Sequence, residues 1–117
     1  MARSTVRTRA SAARGLSELL DSNLFKALCE PVRVEILKTL TAKGRCDVST
    51  IAEHFPQDSS VVSRHLAILY DAGIVRREKE GRHVFFEIDG TAIVNQMEEI
   101  LDRCRNVVPV CCKIASG

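Results

Sequence analysis

The chain has 117 residues, of which 45% are hydrophobic and 27% are charged, a balance typical of one globular domain. No apolar run approaches the roughly 20 residues that a membrane-spanning helix needs, and no apolar segment follows the amino terminus, so we expect neither a membrane protein nor a secreted one. The cysteines number 5, which is odd, and they are not spaced as a disulfide framework. This pattern predicts reduced thiols in the cytoplasm.

The net charge is only +2, but basic residues are concentrated at the amino terminus. The first sixteen residues contain Arg3, Arg7, Arg9 and Arg14 and no acidic residue. We interpret residues 1–15 as a flexible basic arm that adds contacts to nucleic-acid phosphates. A solvated terminus without a partner is the alternative interpretation.

Apolar residues at three- and four-residue spacings predict the first two helices. The first covers residues 16–28. The second begins at Pro31, whose missing N–H costs nothing in a first turn, and ends near Gly44.

Two further helices follow, separated by a tight turn. Asp47 is a good N-cap for the third helix, which Pro56 ends, and Asp58 or Ser59 is a good N-cap for the fourth. The fourth helix ends at Gly73. A short helix, a turn and a second helix together predict a helix-turn-helix.

The fourth helix begins with small polar and basic residues. In the major groove of DNA they would face base edges and phosphates. They are Ser59, Ser60, Ser63 and Arg64. Serine also caps helices, so these serines are weak evidence when taken alone. We interpret His65, in the same helix, as a structural support.

The segment IVRREKEGRHVFFEI predicts two strands around a turn at Gly81. Its basic side chains are expected to contact phosphates, and they include Arg77, Lys79, Arg82 and His83. A two-stranded ribbon is not stable alone and must pack on the helices. The predicted fold is therefore α+β and mostly helical, a winged helix-turn-helix with a two-stranded β wing.

A last helix is predicted over residues 91–105, with a wide apolar stripe that includes Met97, Leu101 and Cys104. This stripe and the first helix predict a homodimer through the N- and C-terminal helices, which would set two recognition helices about one DNA turn apart. We therefore divide the chain into the arm, a DNA-binding and dimerisation domain over residues 16–106, and a cysteine-bearing tail over residues 107–117.

The segments LFKALCEPVRVEILKTL, CDVSTIAEHF, DSSVVSRHLAILYDAGIV and REKEGRHVFFEI, in this order, resemble the ArsR/SmtB family of winged-helix metalloregulators. The resemblance covers roughly residues 16–105. It implies a homodimeric repressor that leaves its operator DNA when a metal ion or another chemical signal binds. An enzyme is not expected, because the three histidines belong to the helix-turn-helix and the wing, and no phosphate loop is present.

Two inducer sites that the resemblance suggests are incomplete in this chain. The cysteine pair at the start of the third helix lacks one member, because Gly44 precedes Cys46 at the partner position. The last helix has no histidine for a zinc-type site. Whether Cys46 or Cys29 contributes a ligand stays open.

Cys111 and Cys112 lie in the tail sequence VPVCCKIASG, which has little to bury. Pro109 predicts a helix break after Val108, and the tail could then fold back toward Cys104. Three thiolates suit trivalent arsenic or antimony, because soft ligands select soft ions. We therefore predict that Cys104, Cys111 and Cys112 bind As(III) or Sb(III) as the inducer.

Several choices remain open at this stage. Two thiols suffice for a methylated arsenical, so the sequence does not choose between inorganic and methylated forms. The site could lie within one chain or between two. Alternative functions are a persulfide- or redox-sensing repressor that uses Cys104 and a tail cysteine, and a DNA-binding dimer with no inducer.

Overall fold

The computed structural model describes residues 8–111, which form six helices and three strands. In chain order these are α1 (Arg9–Leu20), α2 (Asn23–Leu28), α3 (Pro31–Lys43), β1 (Cys46–Asp47), α4 (Val48–Ala52), α5 (Ser59–Asp71), β2 (Val75–Glu80), β3 (His83–Ile88) and α6 (Gly90–Cys111). They divide into two compact units: residues 23–93, and the described residues outside that range. Over residues 8–111, no helix is both long enough and apolar enough to span a bilayer.

Residues 23–93 form the predicted winged helix-turn-helix. Helices α4 and α5 are the helix-turn-helix, and the β2–β3 hairpin is the wing. Side chains from α3, α4 and α5 make the core, and the fully buried ones include Ile36, Leu40, Ile51, Val62, Leu66 and Leu69. The buried residues of α5 are the apolar stripe that its sequence predicts.

The two-stranded wing is present as predicted, and a third strand, which was not predicted, joins its sheet in the order β1-β3-β2. Cys46 pairs with Phe86, and Asp47 pairs with Phe85, both antiparallel. Strand β1 is only two residues long, which is too short for alternation in the sequence to reveal it. It joins the wing to the start of α4.

The β2–β3 hairpin has the predicted position and turn. Glu80 pairs with His83 at its tip, and Gly81 lies between them with a φ of 64°. A residue with a side chain is strained at positive φ, so glycine suits this turn.

The amino-terminal helix differs from its prediction. A first helix over residues 16–28 was expected, but α1 begins at Arg9, and a break at Asp21 and Ser22 separates it from α2. The hydroxyl of Thr8 caps α1 by accepting a hydrogen bond from the N–H of Ser11 at 3.0 Å. Residues 9–15 are therefore helical and not part of a flexible arm, while residues 1–7 lie outside the described residues.

Helix α6 is longer than its prediction over residues 91–105, because it continues to Cys111 with Pro109 inside it. The carboxylate of Asp89 begins it by accepting from the N–H of Ala92 at 3.1 Å. Proline removes one backbone hydrogen bond and crowds the preceding turn, which is tolerable so close to the end of the described helix. The expected break after Val108, which would have let the tail fold back, is not present.

Two arginines hold α1 beside α6 in the unit formed by residues 8–22 and 94–111. Arg103 donates to the carbonyl of Gly15 at 2.9 Å and pairs with Glu99 at 2.7 Å and Glu18 at 3.4 Å. Arg9 donates to the carbonyl oxygen of Val110. The start of α1 therefore lies beside the end of α6, so the two helices run antiparallel.

Candidate nucleic-acid interface

The amino-terminal half of α5 presents an exposed polar surface. Val62, Leu66 and Leu69 face the core, and the opposite side of the helix faces solvent. Four predicted contact residues are exposed there, namely Ser59, Ser60, Ser63 and Arg64. Asp58 occupies the N-cap position but makes no side-chain capping hydrogen bond. The surface therefore has hydroxyl donors and one guanidinium, and these groups can hydrogen-bond both base edges and phosphates.

An arginine from α3 supports α5 from behind. Arg33 donates to Nδ1 of His65 at 3.2 Å, and it also donates to the carbonyls of Ala27 at 2.7 Å and Lys26 at 3.2 Å. His65 is half-buried. This supports the interpretation of His65 as structural, because one guanidinium links the end of α2, α3 and α5.

Asp47 joins the wing to the first helix of the helix-turn-helix. Its carboxylate accepts from the N–H of Thr50 at 3.0 Å and so caps α4. The other oxygen lies 3.1 Å from Nδ1 of His83. Hydrogen bonds from the side chain and backbone of Thr50 hold the pKa of Asp47 below its ordinary value. Burial opposes them, and the charge and hydrogen bond of His83 make smaller contributions that also lower this pKa.

The charged side chains on the outer side of the sheet neutralise one another in ion pairs. Arg45 pairs with Glu78 at 3.0 Å and Glu80 at 2.7 Å, and its guanidinium lies 4.0 Å above the ring of Phe85. On the same side, Arg76 pairs with Glu87 at 3.1 Å. These cations already have carboxylate partners.

The side of the sheet that faces α5 has unpaired cations. Side chains alternate along β2, so Arg77 and Lys79 lie on this side with Phe86. Within residues 8–111 neither of these two cations forms an ion pair. They border a groove of about 460 Å³ between α5 and the wing, and its polar edge also includes Ser63. The apolar floor consists of Val48, Ala67, Val84 and Phe86.

The structure divides the predicted wing contacts into three groups. Arg77 and Lys79 join Ser63 at the groove. Arg82 is exposed beside the turn at Gly81. His83 lies on the outer side of the sheet against Asp47, so it is placed with the paired charges and not beside α5.

Sequence reasoning missed two contributors, Tyr70 and Arg45, and one contact of Asp47. Tyr70 of α5 lies under the guanidinium of Arg77, whose Cζ is 4.0 Å from the ring centroid. Arg45 pairs with Glu78 on the outer side of the sheet, and Asp47, which was predicted only as a helix cap, also contacts His83 there. A signal existed for Tyr70, because Ser63, Ala67 and Tyr70 follow each other at four- and three-residue spacings on one helix face.

The predicted thiol ligands do not converge within the described chain. Cys104 and Cys111 are both exposed on α6, seven residues apart, and Cys112 lies outside the described residues. Two helical turns separate Cys104 from Cys111 by about 10 Å along the axis. Cys46 is buried in the sheet, and Cys29 is exposed between α2 and α3. Among residues 8–111, no three His, Cys, Asp or Glu side chains are grouped to hold a metal ion.

Comparison with known proteins identifies related regulators. Residues 30–77 match the model of the family described as "Bacterial regulatory protein, arsR family". The arsenical resistance operon repressor of Bacillus subtilis is 31% identical over 77 residues, which are 66% of this chain and 73% of that protein. A cadmium resistance regulatory protein CadC homolog of Staphylococcus aureus is 28% identical over 89 residues, 76% of this chain and 74% of that protein.

A solved structure extends this similarity to the fold. The crystal structure of a possible transcriptional regulator for arsenical resistance is 32% identical and superposes with a TM-score of 0.59. The match covers 66% of this chain and 78% of that one.

The pKa shift of Asp47 predicts how stability depends on pH. A carboxylate with a lowered pKa stabilises the folded state above its unfolded pKa, near 3.8, and this contribution is lost as the pH falls through the lower folded value. Asp47→Asn keeps a capping side chain but cannot ionise. Its free energy of unfolding, measured with urea at about pH 5 and about pH 3, should fall less between the two than that of the wild type. Asp58→Asn is the matched control, because Asp58 is at an N-cap but makes no capping hydrogen bond, and its free energy of unfolding should fall as much as that of the wild type. An equally large fall for Asp47→Asn would contradict the prediction.

The division of wing charges predicts different salt dependences for DNA binding. Lys79→Ala should weaken binding to duplexes of any sequence, and should flatten the slope of log affinity against log salt by about one unit, because one phosphate contact is lost. Arg76→Ala on the outer side is the matched control and should leave the slope unchanged, because Arg76 already pairs with Glu87. Fluorescence anisotropy with labelled duplexes at several salt concentrations measures both slopes. An equal flattening of the salt slope in both variants would show that phosphate contact does not depend on which side of the sheet a cation occupies.

Proposed function

The chain belongs to the ArsR family of bacterial regulatory proteins, and from this premise we propose that it binds operator DNA as a homodimer and is released when As(III) or Sb(III) binds its cysteine thiolates. It is a transcriptional repressor of that family and not an enzyme. The observation that carries the DNA-binding part is the exposed Ser and Arg surface of α5 beside unpaired wing cations. Such a repressor acts in the cytoplasm, where its operator lies.

In the proposed complex, α5 enters the major groove with its amino-terminal half. Ser59, Ser60, Ser63 and Arg64 then face bases and the adjoining phosphates. Arg77 and Lys79 contact the sugar–phosphate backbone beside α5, and Arg82 reaches further along it from the tip of the wing. His83 has a smaller part, because Asp47 occupies its Nδ1.

The homodimer is proposed to form along an exposed apolar seam of α6. Its members repeat at alternating three- and four-residue spacings, which is the pattern of a helix that packs against another helix. They are Val94, Met97, Leu101, Cys104, Val108 and Cys111. Val94 is 55% exposed and Leu101 is 47% exposed in the single chain. A large apolar stripe of this kind gains free energy when a second copy covers it.

The seam predicts a variant that loses the dimer. Leu101→Lys places a charge in the seam, where pairing would bury it, so the variant should sediment as a monomer at concentrations where the wild type is a dimer. Asp102→Lys adds a lysine at the next residue, which points away from the seam and is exposed. Analytical ultracentrifugation compares the two variants, with circular dichroism to confirm that both are folded. A dimeric Leu101→Lys variant would contradict the proposed seam.

The geometry of α6 favours an inducer site shared by two chains. Cys104 and Cys111 are two turns apart on one continuous helix, too far to ligate one arsenic atom together. Both lie on the seam, however, where the thiols of a second chain would approach them. We therefore place Cys111 and its neighbour Cys112 from one chain with Cys104 from the other. The names of two relatives refer to different elements, cadmium and arsenic, so the comparisons do not identify the inducer. The proposal of As(III) or Sb(III) therefore depends on these thiols.

Helix α6 offers a covalent route from the thiols to the DNA-binding unit. It begins directly after β3, where Asp89 caps it and donates its N–H to the carbonyl of Ile74 at 2.9 Å. The same helix then carries the seam, with Cys104 and Cys111 on it. A change at the seam can therefore alter the placement of two α5 helices on DNA. A coupling of about 1–3 kcal/mol would weaken operator binding roughly 5- to 150-fold.

The same geometry bears on the redox alternative. A disulfide needs Cα atoms within about 7 Å, and Cys104 and Cys111 of one intact helix are further apart. A persulfide- or redox-sensing repressor would therefore cross-link Cys104 to Cys112 or join two chains. Polysulfide treatment followed by mass spectrometry identifies such links.

Arsenite titration of the repressor–operator complex tests the proposed inducer. Reduced wild-type protein should leave the duplex as arsenite binds, whereas the variant with both Cys111→Ser and Cys112→Ser should stay bound. Cys29→Ser removes an exposed thiol from the other unit and should respond as the wild type does. Anisotropy of the labelled duplex follows release, and ultraviolet absorbance follows the formation of arsenic–thiolate bonds.

Mixed subunits distinguish a shared site from a site within one chain. Cys104→Ser subunits combined with Cys111→Ser/Cys112→Ser subunits have one complete site per heterodimer only if the two chains share it. Arsenite binding restored by mixing would support the shared site. Full release of the Cys111→Ser/Cys112→Ser homodimer would refute the role of the tail thiols, and release by polysulfide alone would favour the redox function.

A further inference from the structure

Tyr70 of α5 contacts Arg77, one of the residues that border the groove between α5 and the wing. It is one turn beyond Ala67 on the helix face that Ser63 begins, and 38% of its surface is exposed. The guanidinium carbon of Arg77 is 4.0 Å from the centroid of its ring, within the distance of a cation–π interaction. The contact therefore connects the recognition helix directly to the wing.

Stacking leaves the hydrogen-bonding capacity of Arg77 intact. The flat face of the guanidinium covers the ring, while its N–H groups lie in the plane and point outward. A carboxylate partner would instead use those N–H groups and cancel the charge, as Glu87 does for Arg76 on the outer side of the sheet. Within residues 8–111, no carboxylate pairs with Arg77. Its charge and its donors both remain available.

An oriented, unpaired guanidinium suits one ligand class in particular. A phosphate diester accepts two parallel N–H···O bonds from arginine, and binding is stronger when the arginine is already held in place. Ser63 and Lys79 lie at the same groove, and its floor of Val48, Ala67, Val84 and Phe86 is apolar, as a deoxyribose surface requires. The groove therefore fits a segment of sugar–phosphate backbone.

We infer that Tyr70 is a positioning residue of the DNA interface, which holds Arg77 by stacking so that its N–H groups meet a backbone phosphate at the α5–wing groove. This inference rests on the proposed operator binding. Tyr70 acts through Arg77 and makes no base contact of its own. Its effect should therefore be the same for operator and non-operator duplexes.

Substitutions at Tyr70, alone and together with Arg77→Ala, test the inference. Tyr70→Leu removes the aromatic face and should raise the dissociation constant for any duplex about two- to fivefold, the range of an exposed cation–π contact. Tyr70→Phe keeps the face and loses only the hydroxyl, so it should bind as the wild type does. In the Arg77→Ala background, Tyr70→Leu should have no further effect on affinity or on the salt slope. Thermal melting of each variant checks that the fold is retained.

The possible outcomes separate the inference from the proposed function. Weakening by Tyr70→Phe equal to that by Tyr70→Leu would overturn the inference, because the hydroxyl itself would then contact DNA. Additive losses in the double variant, or no loss with Tyr70→Leu, would overturn it as well. A wild-type chain that binds no duplex at any salt concentration would instead contradict the proposed function, and the inference with it.

Discussion

Successive side chains of a strand point to opposite sides, and in the β2–β3 hairpin this alternation decides which charges can meet another molecule. Phe86 is buried on the side that packs toward the helices, and its register neighbours on β2 place Arg77 and Lys79 on that same side. The outer side receives Arg76 with Glu87, and Glu78 and Glu80 with Arg45. A shift of register by one residue would exchange the two sides and leave paired charges beside α5.

Burial of Phe86 therefore also determines the position of β1 and of the cap of α4. Its pairing with Cys46 brings the short strand β1 to the edge of the hairpin, and β1 ends in Asp47, the cap of α4. The wing and the first helix of the helix-turn-helix are then joined through one carboxylate, which also contacts His83. The position of the wing beside α5 follows from these local contacts.

Sequence patterns predicted the winged helix-turn-helix well where periodicity was strong. Val62, Leu66 and Leu69 of α5 are buried as expected, and Gly81 lies at the hairpin turn. Features that depend on partners distant in sequence were missed. Strand β1 is too short to show a period, and the contact of Tyr70 with Arg77 depends on how α5 meets β2.

The carboxyl-terminal region shows how one residue can mislead. Pro109 is a strong signal for the end of a helix, yet proline excludes only its own N–H and crowds the turn before it, so a further turn can form when other contacts hold it. Arg9 donates to the carbonyl of Val110, and Arg103 fastens the same helix to α1 through Gly15 and Glu18.

The continued helix changes the chemistry that the tail thiols can perform. A bend would have gathered three thiols in one chain, whereas a straight α6 spaces Cys104 and Cys111 two turns apart along an apolar seam. In the proposed dimer, Cys104 and Cys111 would therefore reach one metalloid atom together only across two helices. Under this proposal, an inducer bound at these thiols would act on the association of two chains, and through it on the placement of both α5 helices on DNA.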